Sequence, residues 1–193
     1  MASRDAAGNF LEGKLLIALP GMPDPRFEKS VIFVCAHSPE NGSMGIIVNK
    51  PIEGLLFSDV VKSLDVDVTA KTPDTPVLYG GPVGTGRGFV LHSGEYGDRQ
   101  ATLPIVTGIS LTTTVEILRA IAQGRGPQRS IFALGYSGWG PGQIEAEMQT
   151  NGWVHCDADP ELVFGPDPDS KWTKALGRLG VDVSGLSAEA GRA

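Results

Sequence analysis

Apolar positions along this chain come mostly in short runs, not in long periodic stripes. Leu15–Leu19 is one such run, stopped by Pro20-Gly21. That length between turn residues predicts a strand. Residues 22–29 carry two prolines and predict a loop. Ser30–His37 is rich in β-branched and aromatic residues and is apolar on both alternating faces. It therefore predicts a central strand covered on both sides. After the turn-forming stretch 38–43, Gly45–Asn49 predicts a third strand. So short a connection predicts antiparallel pairing with the second. Further strands are expected at Val77–Tyr79, Gly88–His92, Ile105–Ser110, Ser130–Leu134 and Gly152–Cys156.

Helical spacing is confined to four places. Leu56, Val60, Val61 and Leu64 predict an amphipathic helix over Leu55–Leu64. Thr113-x-x-Glu116 has the form of a capping box and predicts a helix with Val115, Leu118 and Ile121 inward, stopped by Gly124. Pro141 suits the first turn of a third helix, with Gln143 able to reach back as a cap. Asp167-Pro168 opens a fourth, carrying Trp172, Leu176 and Leu179. Several strands are linked as hairpins, without a clean alternation of strand and helix. This order predicts an α+β single domain with a mixed, mostly antiparallel sheet, not a Rossmann-type fold. A loose start over 1–10, one domain over 11–183 and a loose tail over 184–193 complete the expected organisation, with the polar link 65–76 as the weak point.

Composition narrows the class. The chain has 193 residues, 41% hydrophobic and 20% charged, with 26 glycines and 14 prolines. That is globular composition with many turns. The formal net charge is −6, which repels a phosphate backbone at long range. The last predicted helix has Lys171, Lys174 and Arg178 on one face. These three cations are the best candidate for a DNA contact. They are expected instead as a solvated face opposite Trp172, Leu176 and Leu179, so no direct, specific DNA binding is expected. The start of the chain has no apolar signal region, and no run is long enough to span a bilayer. No membrane association is expected. Cys35 and Cys156 are then expected as reduced thiols in a cytoplasmic protein, with Cys35 buried and inert.

Three constellations carry possible chemistry. Gly80–Gly88 is glycine-rich, but it has neither the dinucleotide nor the Walker pattern and leads into a strand. A tight connection is the simpler reading, with Arg87 amid bare amides as an anion candidate. Gly135-Tyr-Ser-Gly-Trp139 comes close to the hydrolase elbow G-x-S-x-G, in an expected strand–turn–helix setting, but Trp139 stands at the last glycine. Cys35, His37, His155 and Cys156 have the wrong spacing for a structural zinc site. Glu145 and Glu147, two apart on a helix, do not face each other and are expected to favour the helix dipole. His37 and Asn49 are expected at opposite ends of their strand pair. No catalytic residue, metal ligand or cofactor is assigned.

Read together, the phrases identify a resemblance. They are Gly13-Lys-Leu-Leu-Ile-Ala-Leu-Pro20, Asp24-Pro-x-Phe27, Gly45-Ile-Ile-Val-Asn49, Gly80-Gly-Pro-Val83, Val90-Leu-His-Ser93, Gly135-Tyr-Ser-Gly-Trp139 and Gly142-Gln-Ile-Glu-Ala-Glu147, with Trp153 and the Ala190–Ala193 ending. The chain resembles the YqgE/AlgH family of bacterial proteins, often labelled transcriptional regulators. The resemblance covers nearly the whole chain in order. Alanine is common in that family where Ser137 stands here, which weakens Ser137 as a nucleophile. It implies one domain with a large mixed sheet folded into a barrel-like core and helices around it. It implies no established activity. The expected role is a non-catalytic regulatory or adaptor protein working through a protein partner or small ligand; the alternative is a hydrolase-like or thiol-dependent enzyme. The candidate binding surface comprises His37, Asn49, Gly80, Gly81, Arg87, His92, Tyr136, Trp139 and Gln143.

Overall fold

The computed structural model describes residues 10–97, 100–150 and 152–181. Residues 1–9 of the expected loose start, the expected tail over 184–193 and the Ala190–Ala193 ending lie outside the described residues. The chain runs through β1 (Lys14–Ala18), a 3-10 turn (Pro25–Phe27), β2 (Val31–Ser38), β3 (Gly42–Ile47), β4 (Pro51–Leu56) and α1 (Phe57–Ser63). It continues with β5 (Pro76–Tyr79), β6 (Val83–His92), β7 (Thr102–Val106), β8 (Ile109–Thr112), α2 (Val115–Ala122) and β9 (Ser130–Trp139). It ends with α3 (Gln143–Gln149), β10 (Trp153–Asp157), α4 (Pro160–Val163) and α5 (Pro168–Arg178).

The strands join in one sheet in the order β10-β1-β2-β3-β9-β6-β8-β7, with β5 against β9 and β4 on β5. Every pairing is antiparallel except β5 with β9. The sheet curls into a half-barrel that brings the chain just before β1 against β7. A Cβ on Gly13, just before β1, would lie 2.2 Å from Val106 at the end of β7. Three apolar clusters follow from the curl. One fills the concave side with Phe33, Ile46, Phe89 and Leu91, closed by Val163 of α4 and Leu176 of α5. A second lies under α1 and α2. The third lies under α3, with Leu16, Ile32, Trp139 and Trp153. The result is the barrel-like α+β single domain expected from the sequence.

Several local expectations are corrected. The stretch Ile105–Ser110 is not one strand but the β7–β8 hairpin, turning at Thr107-Gly108. Pro51–Leu56 forms β4, so α1 starts only at Phe57 and buries Phe57 and Val61; Leu64 is exposed. The N-cap of α2 is Thr114 with no side-chain cap bond, so the Thr113 capping box does not form. Val115 is 40% exposed, and Ile117 takes the inward place instead. Pro141 stands before the helix, whose N-cap is Gly142. The largest correction concerns Gly135–Trp139. There is no turn there: β9 runs straight through to Trp139.

The basic face of α5 also dissolves. Lys171 is only 2% exposed. Its ammonium donates to the Val48 carbonyl at 2.9 Å and the Val163 carbonyl at 2.6 Å. Burial lowers its pKa to about 8. Arg178 pairs with Asp159, and Leu179, expected on the apolar face, is the exposed C-cap of the helix. The cause lies in the helical period: Lys171 and Ala175 are four apart and share the buried stripe. No helix among the described residues is long and apolar enough to cross a membrane.

Candidate functional site

The strand pairing sets His37, Ser43 and Trp139 in one row. His37 on β2 faces Ser43 on β3, and Ser43 faces Trp139 on β9. A register shift between Val34 and Ala36 turns His37 inward, leaving Ala36 exposed. Over this row lies α3, anchored by Ile144 in the cluster beneath. Gln143 holds its start: Oε1 accepts from the Gly140 amide at 2.9 Å, and Nε2 donates to Glu147 Oε1 at 2.8 Å. The expected reach-back of Gln143 is therefore present.

The two glutamates of α3 do different things. Glu147 Oε2 accepts from Trp139 Nε1 at 3.1 Å and from Trp153 Nε1 at 2.8 Å. With Phe27 stacked on Trp139 and edge-on to Trp153, this carboxylate ties an aromatic cluster together. Glu145 instead turns to His37: Oε1 lies 3.3 Å from Nε2. His37 Nδ1 lies 2.8 Å from Ser43 Oγ. The imidazole thus sits between a hydroxyl and a carboxylate held by three separate elements. Yet His37 Nε2 and both Glu145 oxygens are buried with no aligned hydrogen-bond partner. Phe10 packs on the imidazole, its ring edge-on to His37 at 5.1 Å. The same ring meets His155 at 6.2 Å, and His155 Nδ1 is likewise buried without a partner. Burial and the charge of Lys14 lower the His155 pKa. Among the described residues, no cluster of three His, Cys, Asp or Glu side chains is placed to hold a metal ion.

The other candidate residues lie elsewhere. Asn49 closes the far end of the β2–β3 pair, accepting from the Val31 amide and donating to the Lys29 carbonyl, both at 2.8 Å. Its separation from His37 is as expected. His92 is buried, with Nδ1 donating to the Ser93 carbonyl and Nε2 on Thr112 Oγ1, both at 2.9 Å. Gly80 and Gly81 let two main chains cross: a Cβ on Gly81 would lie 2.2 Å from the carbonyl carbon of Tyr136. Tyr136 is half-buried against Phe89 at 5.8 Å, and Arg87 lies over the same ring at 5.7 Å. Ser137 is fully buried, its hydroxyl donating to the Gly80 carbonyl at 3.3 Å. Cys35 is 2% exposed, and burial pushes its thiol far up. So the structure brings together His37, Trp139 and Gln143, sets Arg87 and Tyr136 against the same Phe89 ring, and disperses the rest. Glu145, Glu147, Ser43 and Phe10 complete the corner.

Comparison with known proteins decides the lineage. A model of the AlgH-like family matches residues 15–184. The chain belongs to the AlgH-like family. A UPF0301 protein of Rhodopseudomonas palustris strain HaA2 is 56% identical, across 96% of this chain and 88% of the relative. One from Azorhizobium caulinodans is 50% identical, across 100% of this chain and 97% of its own length. The solution structure of the AlgH protein from Pseudomonas aeruginosa matches with a TM-score of 0.77 at 38% identity, covering 100% of both chains. A crystal structure of protein DIP2367 from Corynebacterium diphtheriae matches with a TM-score of 0.71 at 20% identity, over 87% of this chain and 86% of that one, and shows the shared fold alone.

Proposed function

We propose that this AlgH-like chain is a cytoplasmic, non-catalytic regulatory or adaptor protein. It acts through a protein partner or a small ligand, and any effect on transcription is indirect. The supporting observation is where the reactive side chains sit. Ser137 and Cys35 are sealed in the core, and His92 is bonded at both ring nitrogens. A nucleophile must be reachable and activated, and these are neither. The loss of Lys171 from the surface leaves less of a basic stripe for DNA. Affinity capture from native cytosol, read by mass spectrometry for proteins and small molecules, tests the proposal. At least one species should be retained above an unrelated acidic control protein. A clean result with neither a protein nor a small molecule retained would sink the proposal.

One observation favours the enzyme alternative. Ser43, His37 and Glu145 stand in the order nucleophile, base and acid. Against it, none of these three residues lines any of five clefts of about 190–710 Å³ found among the described residues. A fluorophosphonate probe separates the readings. Labelling of native Ser43 that vanishes in His37→Ala would replace the adaptor reading with a hydrolase. The thiol-dependent variant has no such support at Cys35.

A further inference from the structure

A cleft opens between α1 and the start of α2, on the outer side of the second apolar cluster. Its volume is about 490 Å³. Val90, Phe132 and Leu134 floor it, and Val60, Leu64 and Leu118 wall it. Leu64 and Val115 at its rim are exposed, so apolar surface here meets solvent without a covering element among the described residues. Among the described residues, Asp59 is the only charged one that lines it.

A strand edge opens into the same cleft. On one side β6 pairs with β9, at Val83 and from Gly88 onward. On the other side it pairs with β8 only at Val90, Leu91 and His92. Beyond Thr112 the chain leaves the sheet and turns into α2. Between Val83 and Gly88 the register shifts, so residues 84–87 bulge out of the ladder, with Gly84 at a φ of 56°, and Gly88 and Phe89 are the paired residues of β6 left without a strand neighbour on that side among the described residues. Gly86 and Gly88 line the cleft, and Gly86 has open space where a Cβ would stand. Arg87 alternates to the opposite face, over Phe89. Bare backbone beside an apolar trough is what an added strand needs: main-chain bonds supply affinity and alternate side chains enter pockets.

We infer that this cleft docks an extended segment of a partner protein. The segment continues the line of β8 past Thr112, pairing at Gly88 and Phe89 and running on beside the 84–87 bulge. It places alternate apolar side chains in the trough and a lysine or arginine against Asp59. The basic residue follows from charge: the one ionised group in the cleft is a carboxylate, on a chain of net charge −6. The inference rests on the adaptor reading and names the kind of partner it has.

Random-sequence peptides displayed on phage and selected against the full chain test it. Enriched peptides should alternate apolar residues and carry a basic residue at a fixed place. Added to labelled protein, synthetic copies should shift the amide signals of Gly86, Gly88 and Val115. Asp59→Asn keeps an oxygen for the Leu56 amide that Asp59 now caps, so α1 should stay folded. It should weaken binding about fivefold, the scale of one ion pair at a surface. Asp59→Lys should weaken it further and prefer a peptide whose basic residue is changed to glutamate. Ser63→Trp, which fills the trough, should abolish binding with an unchanged circular dichroism spectrum. No enrichment, winners without a basic residue, shifts that map elsewhere, or indifference to Asp59→Lys would each overturn the docking site. Cytosolic capture that survives Asp59→Lys and Ser63→Trp would then leave the adaptor reading standing with its surface elsewhere.

Discussion

Two short helices each bury a charge beneath them, and the two burials differ. Under α5, the Lys171 ammonium reaches two main-chain carbonyls, Val48 just past β3 and Val163 of α4. Nothing more is asked of it than to hold α4 and α5 on the concave core. Under α3, Glu147 is bonded as completely, by two indoles and an amide. Two residues earlier, both Glu145 oxygens are buried without an aligned partner, as is the Nε2 of His37 that they face. A buried polar group that is satisfied stabilises the fold; one that is not costs stability and needs another reason to be there. The contrast separates scaffold from candidate site within one molecule, and it can be tested by substitution.

The largest effect belongs to Lys171. Lys171→Ala leaves two buried carbonyls without their donor and removes a packed stem. It should destabilise the fold by about 3 kcal/mol, read from the urea midpoint at constant slope. Lys171→Met keeps the stem and should lose clearly less. An alanine variant as stable as the wild type would mean that α5 is held by Leu176 and Trp172 alone, and the scaffold half of the contrast would fail.

Glu147 comes next. Glu147→Gln keeps the shape but can present only one oxygen. Three donors now converge on the carboxylate, two from Trp139 and Trp153 and one from Gln143. The new amide must point its own N–H groups at one of these donors. The expected loss is about 2 kcal/mol. Trp fluorescence should shift as well, because both indoles lose or change their acceptor.

Much of this scaffold was legible, and the failures have physical causes. β2 and β3 were legible because alternation, β-branching and a short turn all act within a few residues of each other. β9 past Leu134 was not, because Gly135 and Gly138 look like punctuation locally. Those glycines sit where other chains pass close by: a Cβ on Gly135 would lie 2.5 Å from the Gly81 carbonyl oxygen. Only the folded sheet supplies that neighbour. Lys171 was misread by its charge, although its spacing from Ala175 puts it on the buried stripe. At the site, His37, Trp139 and Gln143 were legible as singular residues between apolar runs. The division between Glu145 and Glu147 was not. Their partners come from β2, β9 and β10, and nothing local marks which carboxylate meets which.

The buried lysine also predicts a pH effect. Folding lowers the Lys171 pKa from the ordinary 10.5 to about 8, so between those values the unfolded chain binds more protons than the folded one. Stability from this group is absent below pH 8 and gained as pH rises through that window. Burial acts oppositely on Cys35: its thiol keeps its proton in the fold while the unfolded thiol loses it above its ordinary value of 9.0. The two effects together predict a rise of about 1 kcal/mol between pH 8 and 9, then a levelling or fall. Lys171→Met should abolish the rise. A wild-type profile already flat over this range would show that the ammonium is as comfortable in the fold as in water.

The smallest effect is expected at Glu145, and it is the sharpest test of the contrast. Glu145→Gln removes a buried charge that has no aligned donor, keeps the side-chain volume, and offers His37 Nε2 a neutral neighbour. Relief of the buried charge and loss of the 3.3 Å attraction to the imidazole oppose each other. The net change in stability should be within about 0.5 kcal/mol of zero, against about 2 kcal/mol for the same substitution at Glu147. The same variant should alter what the chain captures from the cytosol if this corner contributes to binding. Urea unfolding of the two glutamine variants side by side gives the answer directly. Should Glu145→Gln cost as much as Glu147→Gln while capture is unchanged, His37 and Glu145 are scaffold too. The binding surface would then have to be sought away from α3, with the cleft beside α1 as the remaining place.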